Sequence, residues 1–164
     1  MKHPTFGSVL AVHPSSSGFG WVVFDDMGEL AEWGIASDKE GRRPRLLRRF
    51  ERLLTRFEPA VLVLEANEEQ CADRIRQLYR AFAEAAAASG ARGYTYEREA
   101  VAMALDIPAR ASRYDVAVKV AELRPELSHR MPRKQMFGAS VDPRQCLFAA
   151  AALALTYLTA MGMA

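Results

Sequence analysis

Two residues stand where a side chain can do chemistry rather than fill a core. His13 follows the apolar run Ser8-Val9-Leu10-Ala11-Val12, and Glu65 directly follows Ala60-Val61-Leu62-Val63-Leu64. A carboxylate placed right after a continuous apolar strand lies at a sheet edge, where a charge needs partners and where open α/β sheets gather their ligands. Glu65 is therefore the strongest single candidate. His13 brings an imidazole suited to general-base work or metal ligation, or it ends its strand and caps the turn His13-Pro14-Ser15-Ser16-Ser17-Gly18. Ser15, Ser16 and Ser17 offer hydroxyls to a phosphate, or form a solvated turn. Asp142 is a third carboxylate of interest. Pro143 follows it, so the pair also reads as the N-cap and first residue of a helix.

The cations form the other chemical feature. Of 22 basic residues 18 are Arg, the side chain suited to bidentate phosphate contacts, and seven of them fall between Arg42 and Arg56 against one Glu. A second cluster holds Arg110, Arg113, Lys119, Arg130, Arg133 and Lys134, diluted by Asp115, Glu122 and Glu126. Either cluster reads as a solvated helix face or as a surface for a polyanion. Trp21, Trp33, Tyr79 and Phe137 are stacking candidates, although both Trp residues sit in strand patterns that suit a sheet face.

These groups need a scaffold, and the pattern supplies one. Ser8 to Val12, Phe19 to Phe24 and Glu29 to Ala36, joined by short turns, predict an antiparallel three-stranded meander. Leu46, Leu47, Phe50, Leu53, Leu54 and Phe57 then recur with helical period, with the Arg cluster on the opposite face. Ala60 to Leu64 predicts a parallel strand covered on both sides, and a helix over Glu68 to Ala88 and a strand over Gly93 to Glu97 follow. Helices are predicted over Arg98 to Leu105, Arg113 to Leu123 and Pro143 to Met161. The expected fold is α/β: a mixed five-stranded sheet, three strands of antiparallel meander plus two parallel strands, with helices on both faces.

Composition bounds the rest. With 164 residues, 50% hydrophobic content and a net charge of +2, residues 1–164 fit one globular domain and exclude disordered and collagen-like classes. Cys71 and Cys146 are far apart without metal-type spacing, which suits a reducing cytoplasm. The N-terminus lacks an apolar signal core, and the stretch Cys146 to Met161, 16 residues long, is short for a membrane span.

The strand order and motifs resemble the RNase H-like fold, and within it the RuvC-type Holliday-junction resolvases. The tract Leu10-Ala11-Val12-His13-Pro14-Ser15-Ser16-Ser17-Gly18-Phe19-Gly20 is similar to that family's first motif, apolar-Asp-Pro-Gly-Ser before a Gly-aromatic-Gly strand start. Glu65 after Val61-Leu62-Val63-Leu64 matches the second motif, and Asp142-Pro143-Arg144-Gln145 with Leu147 to Leu155 resembles the helix carrying the last carboxylates. The resemblance covers nearly the whole chain. It implies acidic side chains that hold Mg²⁺ or Mn²⁺ for phosphodiester hydrolysis, branched or double-stranded DNA as partner, basic residues before the last helix on the DNA backbone, and a homodimer that cuts two strands symmetrically.

The chain departs from that pattern where His13 replaces the first motif's Asp and where Gln145 or Ala149, depending on register, replaces the helix Asp. A centre of His13, Glu65 and Asp142 would suit Mn²⁺ better than Mg²⁺, because imidazole is a poor ligand for Mg²⁺. Two expectations result: a RuvC-like endonuclease with Glu65, His13 and Asp142 as its catalytic and metal-binding residues, or an inactive DNA-binding protein on the same scaffold. In both, Ser15, Ser16, Ser17, Arg110, Arg113, Lys119, Arg130, Arg133 and Lys134 are the expected contacts to nucleic acid.

Overall fold

The alternation of apolar residues on the first strand decides the layering. In the computed structural model, which describes residues 7–66, 72–134 and 142–163, β1 (Val9–Pro14) lies at the centre of a five-stranded sheet. Every one of its six residues is buried. It pairs antiparallel with β2 (Gly18–Phe24) and parallel with β4 (Val61–Glu65). β3 (Leu30–Ser37) adds antiparallel outside β2, and β5 (Arg92–Tyr96) adds parallel outside β4, giving the order β3-β2-β1-β4-β5.

Two cores lie on the two faces of this sheet. Val9, Ala11, Val22, Phe24, Val61 and Val63 face α5 (Gln145–Ala160), together with α3 (Arg98–Ala104), α4 (Arg113–Leu123) and the 3₁₀ turn Pro125–Arg130. Leu10, Val12, Phe19, Val23, Leu62 and Leu64 face α1 (Arg43–Phe57) and α2 (Asp73–Ala88). On that second face Phe50 and Phe82 stack with centroids 4.2 Å apart, and Phe19 meets Phe82 edge-on at 5.0 Å. The first face is packed differently. α5 is apolar around its circumference and buried from Gln145 to Leu158 except at Ala149, as a helix sunk into a core must be. Its run Ala149-Ala150-Ala151-Ala152 lets its backbone approach the strands closely.

The contact is tightest at Gly20, which faces α5 with Val22 and Phe24. A Cβ there would stand 2.4 Å from the carbonyl carbon of Cys146 and 2.4 Å from the backbone nitrogen of Leu147. No side chain fits, so the glycine is what allows the first turn of α5 to rest on β2.

The predicted elements match the observed ones in order and type, with differences at their ends. β1 runs through Pro14, because His13 pairs with Gly20 and Pro14 with Phe19. His13 is thus a strand residue and not the start of the turn. α5 begins at Gln145, two residues after the expected start. The predicted beginning of α2 at Glu68, together with Cys71 and Phe137, falls outside the described residues. Among the described residues no helix is long and apolar enough to cross a membrane. Trp21 and Trp33 serve the sheet, Trp21 against Phe57 with centroids 5.9 Å apart and Trp33 beside His129 at 6.3 Å.

Gly20→Ala is expected to destabilise the protein by about 3 kcal/mol, the upper range for overpacking, because backbone and not a flexible side chain must yield. Gly93→Ala on β5, with nothing within 4 Å of the added Cβ, is the control and should shift stability by no more than about 0.5 kcal/mol. Denaturant unfolding of both variants checks the pair. Equal midpoints would mean that α5 does not press on β2 as described.

Candidate functional site

The register of β1 on β4 builds the site. Val9 pairs with Val61 and Ala11 with Val63, and the next step of two residues sets His13 opposite Glu65 on the face that carries α5. Both stand where the apolar part of their strands ends. The His13 Nε2 and the Glu65 Oε2 are 2.9 Å apart, a hydrogen bond between half-buried partners with side-chain exposures of 9% and 18%. Burial pushes the Glu65 carboxyl up, but the hydrogen bond and charge of His13, with Arg113 and Arg98 nearby, outweigh it and hold the group below its ordinary value.

A cleft opens over this pair. It runs across the C-terminal ends of β4 and β5 from α2 to α5, and its walls include Gln145, Ala149, Arg76, Arg80, Arg98 and Arg113. Glu97 and Glu99 stand on the same rim, so cations and anions are interspersed there. Arg98 is held in place by a hydrogen bond from its Nη2 to the Ala111 carbonyl at 3.2 Å. At the floor, the Nδ1 of His13 and the Oε1 of Gln145 are buried polar atoms without a hydrogen-bond partner among the described residues. Such atoms are rare in native proteins and mark a place where a water or a ligand completes the set.

Asp142 is not part of this group, and the expectation of a three-residue centre of His13, Glu65 and Asp142 is corrected accordingly. Its Oδ1 accepts from the Arg144 backbone N–H at 3.0 Å and from Nε at 3.1 Å, while Oδ2 accepts from Arg144 Nη2 at 2.7 Å and from the Arg133 backbone N–H at 2.9 Å. The Arg144 guanidinium, helped by the two backbone N–H groups and opposed by burial, holds this carboxyl well below the usual carboxylate range. The capping expectation holds for the turn that leads into the helix: the Asp142 side chain accepts from the backbone N–H two residues on, past Pro143, and its carbonyl accepts from the Gln145 N–H at 3.0 Å. Arg144 occupies the N-cap position of α5, and that helix end has no side-chain cap. Asp142 ties the segment at Arg133 to the entrance of α5 and does not line the cleft, whereas Gln145 does.

The remaining expected contacts are dispersed. Arg113 lines the cleft, but Arg110, Lys119, Arg130, Arg133 and Lys134 do not. Lys134 lies over the Tyr114 ring at 6.0 Å. The serine turn is fastened to the protein through its backbone: the Ser15 N–H donates to the Gly18 carbonyl at 2.8 Å, the Asp38 N–H to the Ser17 carbonyl at 2.8 Å, and Arg74 to the Ser16 carbonyl. Ser16 alone of the three is exposed. Burial pushes the Cys146 thiol up to about 11, which disfavours the thiolate form. Sequence reasoning missed Arg76, Arg80 and Arg98. The signal for Arg98 was present, because it follows the C-terminal end of β5 as Glu65 ends β4.

A pair of divalent cations of the kind the resemblance implies does not fit this donor set. Glu65 is the one carboxylate at the three positions concerned, its Oε2 is engaged by His13, and two arginines face it. Among the described residues no three His, Cys, Asp or Glu side chains gather closely enough to hold a metal ion.

No family model matches the chain, and no curated protein matches it. Solved structures do. RuvC of Thermus thermophilus in complex with a Holliday junction substrate shares 21% identity, with 96% of this chain and 97% of that one covered and a TM-score of 0.69. The yeast mitochondrial Holliday junction resolvase Ydc2 shares 12% identity over 98% of this chain and 81% of its own, at a TM-score of 0.64. The Fowlpox virus resolvase, solved with Holliday junction DNA, shares 13% identity over 94% and 98%, at 0.57. The chain therefore has the RNase H-like fold. The likeness to RuvC and other Holliday-junction resolvases extends over nearly its full length.

Asp142→Asn tests the role assigned to that carboxylate. A charge-assisted network of this kind, partly open to water at Arg144, contributes about 1–2 kcal/mol. Because the folded-state value is depressed, the contribution is complete above the ordinary value of 3.8 and is lost as the pH falls below it. Urea unfolding should show the variant less stable than wild type at pH 7, with the gap narrowing towards pH 3. A gap independent of pH would exclude the ion pair as its cause.

Proposed function

We propose that this chain binds branched or double-stranded DNA through the cleft over His13 and Glu65, as a RuvC-shaped protein whose centre holds the phosphate backbone without hydrolysing it. The observation that carries this reading is the pairing of Glu65 with His13 under Arg98 and Arg113. The carboxylate that would coordinate a cation is occupied by an imidazole, and the guanidinium groups beside it suit phosphate oxygens. Two of the structural neighbours were solved with Holliday junction DNA, which supports a four-way junction as the first substrate to try. In this reading Arg113 contacts the backbone in the cleft, and Ser15, Ser16, Ser17, Arg110, Lys119, Arg130, Arg133 and Lys134 serve as flanking contacts. A homodimer belongs to the same proposal, because two copies would present two clefts to a symmetric junction.

The test is a labelled four-way junction and a duplex of equal length, titrated over a salt series and incubated with Mg²⁺ or Mn²⁺. Salt-dependent binding without cleavage is expected, with affinity reduced about tenfold or more in an Arg98→Ala, Arg113→Ala double variant. Cleavage in either metal that Glu65→Gln abolishes would replace this reading with a divalent-metal endonuclease centred on Glu65. Absence of binding to both DNAs at low salt would overturn the nucleic-acid reading altogether.

A further inference from the structure

The outer face of α1 carries a charge pattern that its own fold does not use. Leu46, Phe50 and Leu54 are buried against the sheet. At about 100° per residue, Arg45, Arg48, Arg49, Arg52 and Arg56 then fall within an arc of about 100° on the side away from it, and all five are exposed. Arg45 lies 3.6 Å from Asp38 and Arg56 2.7 Å from Glu32. Arg48 donates to the Pro44 carbonyl at 3.4 Å, and among the described residues Arg48, Arg49 and Arg52 have no carboxylate partner within ion-pair distance.

This arrangement opposes the helix that bears it. Arg at i, i+3 and i+4 repels by about 0.2–0.5 kcal/mol per pair. The first turn contains no acidic residue, and Arg43 and Arg45 stand at the positive end of the macrodipole, where Asp38, bonded to Arg42 and Arg45, is the compensating carboxylate. A face that served only solubility would gain from interspersed Glu, and this one has Glu51 at its margin.

We propose that the α1 arginine ridge is a second binding surface for duplex DNA, contacting the phosphate backbone without reading bases. The dimensions agree. From Arg45 to Arg56 the ridge is about 16 Å long at ~1.5 Å per residue, the axial length of about five base pairs at ~3.4 Å each. Its chemistry is that of phosphate: five guanidinium groups and, on the same arc, no apolar side chain that would enter a lipid surface. The ridge is separate from the cleft, since none of its five arginines is among the residues that line the cleft. A protein with both surfaces holds DNA in the cleft and steadies a flanking arm along α1.

An Arg48→Ala, Arg49→Ala, Arg52→Ala triple variant tests it by fluorescence anisotropy with a labelled 30-bp duplex across a salt series. The salt slope should fall by about 2–3, near 0.9 for each phosphate contact removed, and affinity at low salt by tenfold or more. The melting temperature should hold or rise, as removal of like charges predicts. The corresponding Arg→Gln triple, which keeps the long side chains, should lose the same slope. Unchanged slopes in both variants overturn the inference, and so does a wild-type protein that binds phosphatidylserine vesicles but not the duplex. The Arg98→Ala, Arg113→Ala variant separates the two surfaces. If it has no effect while the α1 triple does, the cleft reading fails and the ridge stands, whereas the converse removes the ridge alone.

Discussion

The parallel pairing of β1 with β4 is the constraint on which the rest of the molecule depends. Both strands are covered on each face, so neither tolerates a polar side chain until it leaves the core. That point arrives at the same level in both, because the register advances them together from Val9 and Val61 to His13 and Glu65. A carboxylate held there, with 18% of its side chain exposed, needs compensation from its surroundings. His13 is the nearest group and provides it. What would be the most reactive oxygen in the cleft is thereby occupied by a neighbour, and the chemistry of the site follows from this internal bond.

The same register governs the approach of α5. Gly20 pairs with His13 across β1 and β2, and the first turn of α5 rests on that glycine. This close approach brings Gln145 to the cleft floor and Ala149, one turn later, to its wall. Both positions line the same cleft as the His13–Glu65 pair, and neither carries charge. An amide and a methyl group in place of carboxylates lower the negative potential of the cleft, and Arg98 and Arg113 lower it further. At the positions of His13, Glu65, Gln145 and Ala149 a cation would meet one carboxylate, already bonded to His13, while a phosphate oxygen would meet the guanidinium donors of Arg98 and Arg113 in the same cleft.

Much of this was legible in the chain. The apolar runs of the first three strands between short turns, the continuous apolar run before Glu65 and the i, i+4 spacing of Leu46, Phe50 and Leu54 determine the layers, because each reflects how much of an element must be buried. His13 and Glu65 were visible for the same reason, as polar residues at the ends of buried strands. Asp142 starts a helical turn, as the local preference of Asp-Pro indicates, whereas its two side-chain bonds to Arg144 gave no local sign. The cleft arginines Arg76 and Arg80 gave no local sign, since an arginine on an amphipathic helix looks the same whether it faces bulk water or a cleft. Only the tertiary position of α2 distinguishes the two.

Near-neutral net charge and a nucleic-acid surface are compatible in such a molecule because the charges are segregated by element. The +2 balance averages an α1 face that is almost purely cationic with acids placed where they perform local work: Asp38 accepts from the Arg42 backbone N–H at 2.8 Å, Asp115 closes the capping box of α4 with Ser112, and Asp142 binds Arg144. These carboxylates are committed to bonds within the fold and cannot screen distant arginines beyond about 8–10 Å at ordinary ionic strength. The field at the surface is accordingly set by which arginines lack such partners, and among the described residues Arg48, Arg49 and Arg52 on α1 have no carboxylate within ion-pair distance.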